Sequence, residues 1–190
     1  MKIKTLLLLS TLALAGTASA ESRFFIGGSY GLASDGEISL DDAFNVDELI
    51  SFEFGVKHQI QDRLSFSLST EIIFGETDER FGREFVDVDS FGFMANVKLA
   101  YEVLPNLTIY GGAGIGFIDS ELTSIEPGVR ATRDSETVFA YQFIAGLEYQ
   151  VTGNVALFSQ FRYLSGEDFD FVSFTAIDDS FVDFGARFYF

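Results

Sequence analysis

Three observations predict an all-β protein, an eight-stranded up-and-down antiparallel barrel that crosses a membrane. Apolar and polar residues alternate in eight successive segments, the connections between them alternate short and long, and the charged residues within the segments share one face. A strand turns successive side chains to opposite sides, so alternation marks a sheet with two different environments. Short turns on one rim and long loops on the other are what a membrane-spanning barrel shows, with the short turns in the periplasm.

The first twenty residues stand apart from this pattern. They contain no acidic group, open with Lys2 and Lys4, run apolar from Leu6 to Ala15 and close on Ala18-Ser19-Ala20. That is the layout of a signal peptide cleaved before Glu21. The apolar run falls short of the ~20 residues needed to cross a hydrocarbon core as a helix. The expected organisation is therefore a cleaved leader, residues 1–20, and one barrel domain, residues 21–190, reached by export.

The alternation is clearest at residues 64–75. Leu64, Phe66, Leu68, Thr70, Ile72 and Phe74 fall on one side, and Ser65, Ser67, Ser69, Glu71, Ile73 and Gly75 on the other. The same period recurs at Phe24 to Ala33, Ile50 to His58, Phe91 to Val103, Leu107 to Ile118, Phe139 to Val151, Val155 to Leu164 and Val182 to Phe190. Residues 59–63, 104–106 and 152–154 are the short connections. Residues 34–48, 76–89, 119–136 and 165–179 are the long ones.

Which face points inward separates a membrane barrel from a soluble one, whose interior is apolar and exterior wet. Glu53, Lys57, Glu71, Lys98, Glu102, Glu148, Arg162, Asp183 and Arg187 all lie opposite the large apolar residues of their segments. They are expected to line the lumen and pair there, because an eight-stranded barrel leaves room for side chains and not for an open pore. The outward aromatics are expected in two belts. Tyr30, Phe52, Phe74, Phe91, Phe117, Phe139, Tyr141, Tyr163 and Phe184 lie toward the long connections, and Phe24, Phe66, Tyr101, Tyr149, Phe188 and Phe190 toward the short ones. Such girdles mark the two membrane interfaces, although this chain has no Trp.

Charge and cysteine content exclude several functions. Beyond Lys2 and Lys4 the chain has 10 basic and 29 acidic residues, a balance that rules out nucleic acid as a partner. The four long connections carry formal charges of −6, −4, −3 and −5, so nearly all the acidic surplus faces outside. The first of them holds Asp35, Glu37, Asp41, Asp42, Asp47 and Glu48, but the spacing is not that of a calcium-hand loop; a solvated acidic surface is expected, with weak Ca²⁺ or Mg²⁺ association as the lesser alternative. With no cysteine there is no disulfide framework, thiol nucleophile, Cys-held metal or lipidated anchor. The run Gly111-Gly112-Ala113-Gly114-Ile115-Gly116 does not match a dinucleotide fingerprint; its inward glycines instead make room for long lumen side chains. No cofactor or metal is expected.

Several stretches resemble the small OmpA/OmpX-type outer-membrane β-barrel proteins, the porin-family or opacity-like group. They are Tyr101-Glu102 through Leu107-Thr108-Ile109-Tyr110-Gly111-Gly112-Ala113-Gly114, Ala145-Gly146-Leu147-Glu148-Tyr149 through Asn154-Val155, and the close Phe184-Gly185-Ala186-Arg187-Phe188-Tyr189-Phe190. The resemblance implies that Ala186, Phe188 and Phe190 form the signal read by the barrel-assembly machinery. It also implies outer-membrane lipids and lipopolysaccharide as surroundings, and a monomer. Two related barrel classes are lipid A enzymes that depend on a catalytic His. Here the single His58 is followed by Gln59 and Ile60, not by a serine two residues on, and it falls on the outward face near a turn. An interfacial His with no nucleophile or acidic orienter near it in sequence is expected to be structural.

The expected role is thus non-enzymatic, structural or surface-interacting, with a narrow passive channel as the alternative and a lipid A enzyme after it. The last long connection continues the period of two: Phe169, Phe171 and Ser173 alternate with Asp168, Asp170, Val172 and Phe174. Phe169, Phe171 and Phe174 are the candidate contact residues of a protruding hairpin for an extracellular protein partner.

Overall fold

The computed structural model describes residues 22–33, 48–81, 84–125, 132–166 and 178–190. The expected leader and the candidate residues Phe169, Phe171 and Phe174 lie outside the described residues. Eight strands follow in order: β1 (Ser22–Ala33), β2 (Glu48–Gln61), β3 (Leu64–Phe81), β4 (Glu84–Leu104), β5 (Leu107–Ile125), β6 (Thr132–Gln150), β7 (Val155–Gly166) and β8 (Asp178–Tyr189). Each pairs antiparallel with the next, and β1 pairs with β8 to close the barrel. Closure leaves no unpaired edge within the bilayer, where an unbonded backbone group finds no water to bond.

The turns at the periplasmic end are built by local chemistry. Leu104 pairs with Leu107 across Pro105 and Asn106, and Asn106 has φ 70°. Pro at the first corner and a left-handed residue at the second are what a type II turn requires, and Asn tolerates that conformation better than most residues. Between β6 and β7 the Thr152 hydroxyl accepts from the backbone N–H groups of Asn154 and Val155, at 3.3 and 3.1 Å. Between β2 and β3 the register shifts from Gln59 to Gln61 before the Asp62-Arg63 turn.

At the opposite rim the structure corrects the expected boundaries. Residues 76–89 and 119–136 belong largely to strands: β3 runs on to Phe81, β4 starts at Glu84, β5 reaches Ile125 and β6 starts at Thr132. Over the described residues these four strands have 18, 21, 19 and 19 residues. The alternation that marks a strand by sequence depends on one face meeting lipid. Pairing itself needs only backbone groups and continues where both faces are wet.

Inside the membrane band the expected faces hold. Phe52, Ile115, Phe117 and Phe184 are among the large apolar side chains more than half exposed on the outside, a surface compatible with lipid and not with water. The aromatics of the upper belt touch across strands: Phe74 meets Phe52 and Phe91 with ring centroids 6.4 and 5.5 Å apart, and Phe117 meets Phe139 at 6.0 Å. At the lower belt Phe190 stacks on Phe24 and Phe188 at 6.2 and 6.3 Å.

Candidate functional site

The core of this barrel is its lumen. Seven of the nine residues expected there, Glu53, Glu71, Lys98, Glu148, Arg162, Asp183 and Arg187, are buried, and Lys57 is partly so. Burying a charge is costly unless it is paired and hydrogen-bonded, and the arrangement meets both conditions. Toward the long loops, Arg162 donates to Glu71, Asp183 and Gln142 at 2.6, 2.9 and 2.7 Å. Gln142 and Asn96 donate in turn to the second oxygen of Glu71, at 3.0 and 2.9 Å. Gln160 donates to Asp183 at 2.7 Å and accepts from Tyr110 at 2.9 Å.

Toward the short turns, Glu53 accepts from Ser69, Lys98 and Arg187. Arg187 also donates to Glu148 at 2.7 Å, and Lys57 and Tyr189 complete that carboxylate at 3.0 and 2.9 Å. The Arg187 guanidinium lies 4.0 Å from the ring centre of Phe158 and 5.1 Å from that of Tyr110. Facing aromatic rings favour a cation in a dry setting. Glu102 stands apart, half-buried near the Pro105-Asn106 turn and outside both clusters.

Tyr189, expected from its parity to face the lumen, does so, and lumen residues that sequence reasoning did not single out carry much of the rest of this network: Asn96, Tyr110, Gln142 and Gln160. Their inward position was readable from the same parity, but a neutral residue gives no charge signal. An apolar layer was missed as well. Leu49, Ile73, Met94, Ile118, Leu164 and Phe181 pack together inside the barrel above the ion network, so the lumen is not polar along its whole length. The glycines opposite the network behave as expected. Gly112 and Gly114 face Lys98 and Asn96 across β4 and β5, and a Cβ on Gly114 would run into the Asn96 side chain.

His58 has a neighbour invisible in linear sequence. Strand pairing sets Ser22 opposite it, and the Ser22 hydroxyl lies 2.8 Å from His58 Nδ1, while the ring packs on Phe66 at 5.4 Å. Among the described residues the ring's bonded neighbour is the Ser22 hydroxyl, and no carboxylate bonds it. Also among them, no group of three or more His, Asp or Glu residues is placed to hold a metal ion.

The positions expected to form the assembly signal, Ala186, Phe188 and Phe190, face out, while Tyr189 is buried against Phe25 and bonded to Glu148. This separates two effects. Phe190→Asp is expected to reduce the amount of barrel assembled in the membrane without loosening the lumen. Tyr189→Phe should assemble normally yet lose about 1–2 kcal/mol of stability with its hydrogen bond to a carboxylate. Quantifying membrane-inserted protein and urea midpoints for both variants checks this, and identical behaviour would count against the register.

A family model described as outer membrane protein beta-barrel domain matches residues 5–190. The chain is 30% identical over 171 residues to outer membrane protein P5 of Haemophilus influenzae, covering 83% of this chain and 48% of that protein. It therefore spans about half the length of that relative. Among solved structures, Neisserial surface protein A matches with a TM-score of 0.58 at 17% identity, over 90% of this chain and 98% of that one. Ail, the attachment invasion locus protein of Yersinia pestis, solved with the heparin analogue sucrose octasulfate, matches with a TM-score of 0.56 at 14% identity, over 89% and 97%.

Proposed function

Because the chain belongs to the outer membrane protein beta-barrel domain family, we propose that it acts at the cell surface without catalysing a reaction, the barrel serving as a membrane anchor and the long-loop face making contacts. The observation that carries this reading is the filled lumen. Among the described residues the ion network and the apolar layer above it pack the lumen, with spaces of about 20 and 10 Å³ between their side chains, which argues against the passive channel. Surface presentation then falls to the long-loop rim, which carries most of the acidic surplus.

The likeness to a surface protein and to an attachment protein supports a contact role, but the charge argues for a different partner from the sulfated analogue bound by Ail. With −18 over residues 34–48, 76–89, 119–136 and 165–179, a polyanion is repelled and a cationic or neutral surface is favoured. The test has two parts. Purified barrel in planar bilayers should give no discrete conductance, and cells overexpressing it should keep their lipid A masses. Replacing the four long segments with short Gly/Ser turns should abolish binding to a basic protein surface while the barrel still assembles. Discrete conductance, altered lipid A or undiminished binding by the trimmed barrel would each overturn the proposal.

A further inference from the structure

The outer surface is hollowed on one side, where small residues meet. Thr70 and Ala95 are partners across β3 and β4, between Phe54 on β2 and Ile115 on β5. They floor an open groove of about 430 Å³ that runs past Leu68 and Val56 to Phe24, in the lower aromatic belt. A second groove, about 570 Å³, lies on the other side of Phe54, where Gly28 and Ala186 are partners across β1 and β8. Phe54 and Thr70 line both. Each volume falls within the roughly 300–1,000 Å³ of small-molecule sites. Both grooves lie between the two aromatic belts, in the hydrocarbon layer, where the available occupant is an acyl chain and not water. Two grooves parted by one ridge match a lipid with two chains.

A polar pair stands directly below the ridge. His58 shares the outward face of β2 with Phe54, and Ser22 is its partner on β1. Ser22 Oγ and His58 Nδ1 are 2.8 Å apart, and among the described residues this is the one hydrogen bond of either side chain. In either tautomer one donor is left over. It is His58 Nε2–H when the hydroxyl donates to Nδ1, and the Ser22 hydroxyl when Nδ1–H donates to it. Four residues separate His58 from Phe54, so at about 3.3 Å per residue and a tilt of about 45° the ridge stands roughly 9 Å above the pair along the membrane normal. That is less than the ~15 Å of hydrocarbon in one leaflet, half the thickness of the core. The grooves and the pair therefore belong to the same leaflet, and chains seated in the grooves bring phosphate and ester oxygens level with the pair.

We propose that this face holds one diacyl phospholipid of the periplasmic leaflet, its chains astride Phe54 and its phosphate accepting from the Ser22–His58 pair. Unlike the lipid that surrounds the rest of the barrel, this one stays bound in detergent. The site is independent of the long-loop rim and of the contacts made there.

The folded barrel is stripped of lipid in a sugar-headgroup detergent, phosphatidylethanolamine is added back, and bound lipid is counted by native mass spectrometry. One lipid per barrel is expected. Diacylglycerol, which lacks the phosphate, should bind about tenfold more weakly, the effect of losing a hydrogen bond to a charged group. Ser22→Ala combined with His58→Leu should weaken the phospholipid by a similar factor. Thr70→Phe fills the floor common to both grooves and should abolish binding, with Ala95→Phe in its place should that variant fail to fold. Ala145→Phe, at an exposed position on β6, should leave binding unchanged. Equal lipid counts with open and filled grooves would mean ordinary bilayer solvent. Diacylglycerol bound as tightly as the phospholipid would remove the polar pair from the site. Lipid-free dimers that Thr70→Phe separates would make the grooves the seat of a second copy. Each of these three results overturns the proposal and leaves the surface-contact reading intact.

Discussion

Arg162→Met is expected to lower the stability of the folded barrel by about 3–5 kcal/mol, the usual cost of breaking a buried ion pair from one side. Arg162 is 0% exposed and reaches Glu71 on β3, Gln142 on β6 and Asp183 on β8. Removing it leaves two carboxylates facing each other's charge with no cation between them. Urea unfolding of the detergent-folded protein would show a midpoint lower by roughly 2 M, taking a slope of about 2 kcal/mol per molar. The triple variant Arg162→Met, Glu71→Gln, Asp183→Asn should recover most of the loss, because neutral amides need no counter-charge. If the single and triple variants unfold at the same midpoint, Arg162 contributes through packing and not through charge.

A comparably large effect is expected from the smallest possible change at Gly116. A methyl group there would collide with the backbone carbonyl of Phe93 and come within 2.7 Å of Met94 Sδ. Met94 is the residue paired with Gly116 across β4 and β5. A flexible side chain end could move aside, but a carbonyl held in the ladder cannot do so without separating the strands. Gly116→Ala should therefore cost about 3 kcal/mol, the upper end for overpacking, and reduce the assembled fraction. Gly111→Ala is the matched control. Gly111 lies on the same strand facing outward, and the closest contact of an added Cβ is the Ile144 carbonyl oxygen at 3.8 Å. Its effect should stay within about 0.5 kcal/mol. Equal losses at the two glycines would mean that strand flexibility matters here and lumen packing does not.

Sequence alone determined the face of each residue in the membrane band. The two-residue period is a local property of extended backbone, so Glu53, Arg162 and Asp183 could be placed inside and Phe52, Phe117 and Phe190 outside before any pairing was known. The short turns were equally legible, because Pro105-Asn106 and Asp62-Arg63 carry their geometry in their own residue types. Tertiary structure decided what lies beside what. Parity assigns a side but no depth, and depth depends on strand tilt and on register around a closed sheet. Only closure brings Arg187 to Glu53, 134 residues away, and Arg162 to Glu71, 91 residues away. Closure likewise sorts Ile73 and Phe181 into an apolar layer, although Ile73 shares its strand face with Glu71. The pairing of β1 with β2 set Ser22 beside His58, which no spacing within either strand announces. The strand ends at the outer rim also had to come from the structure, since backbone pairing can continue past the stretch where side chains alternate.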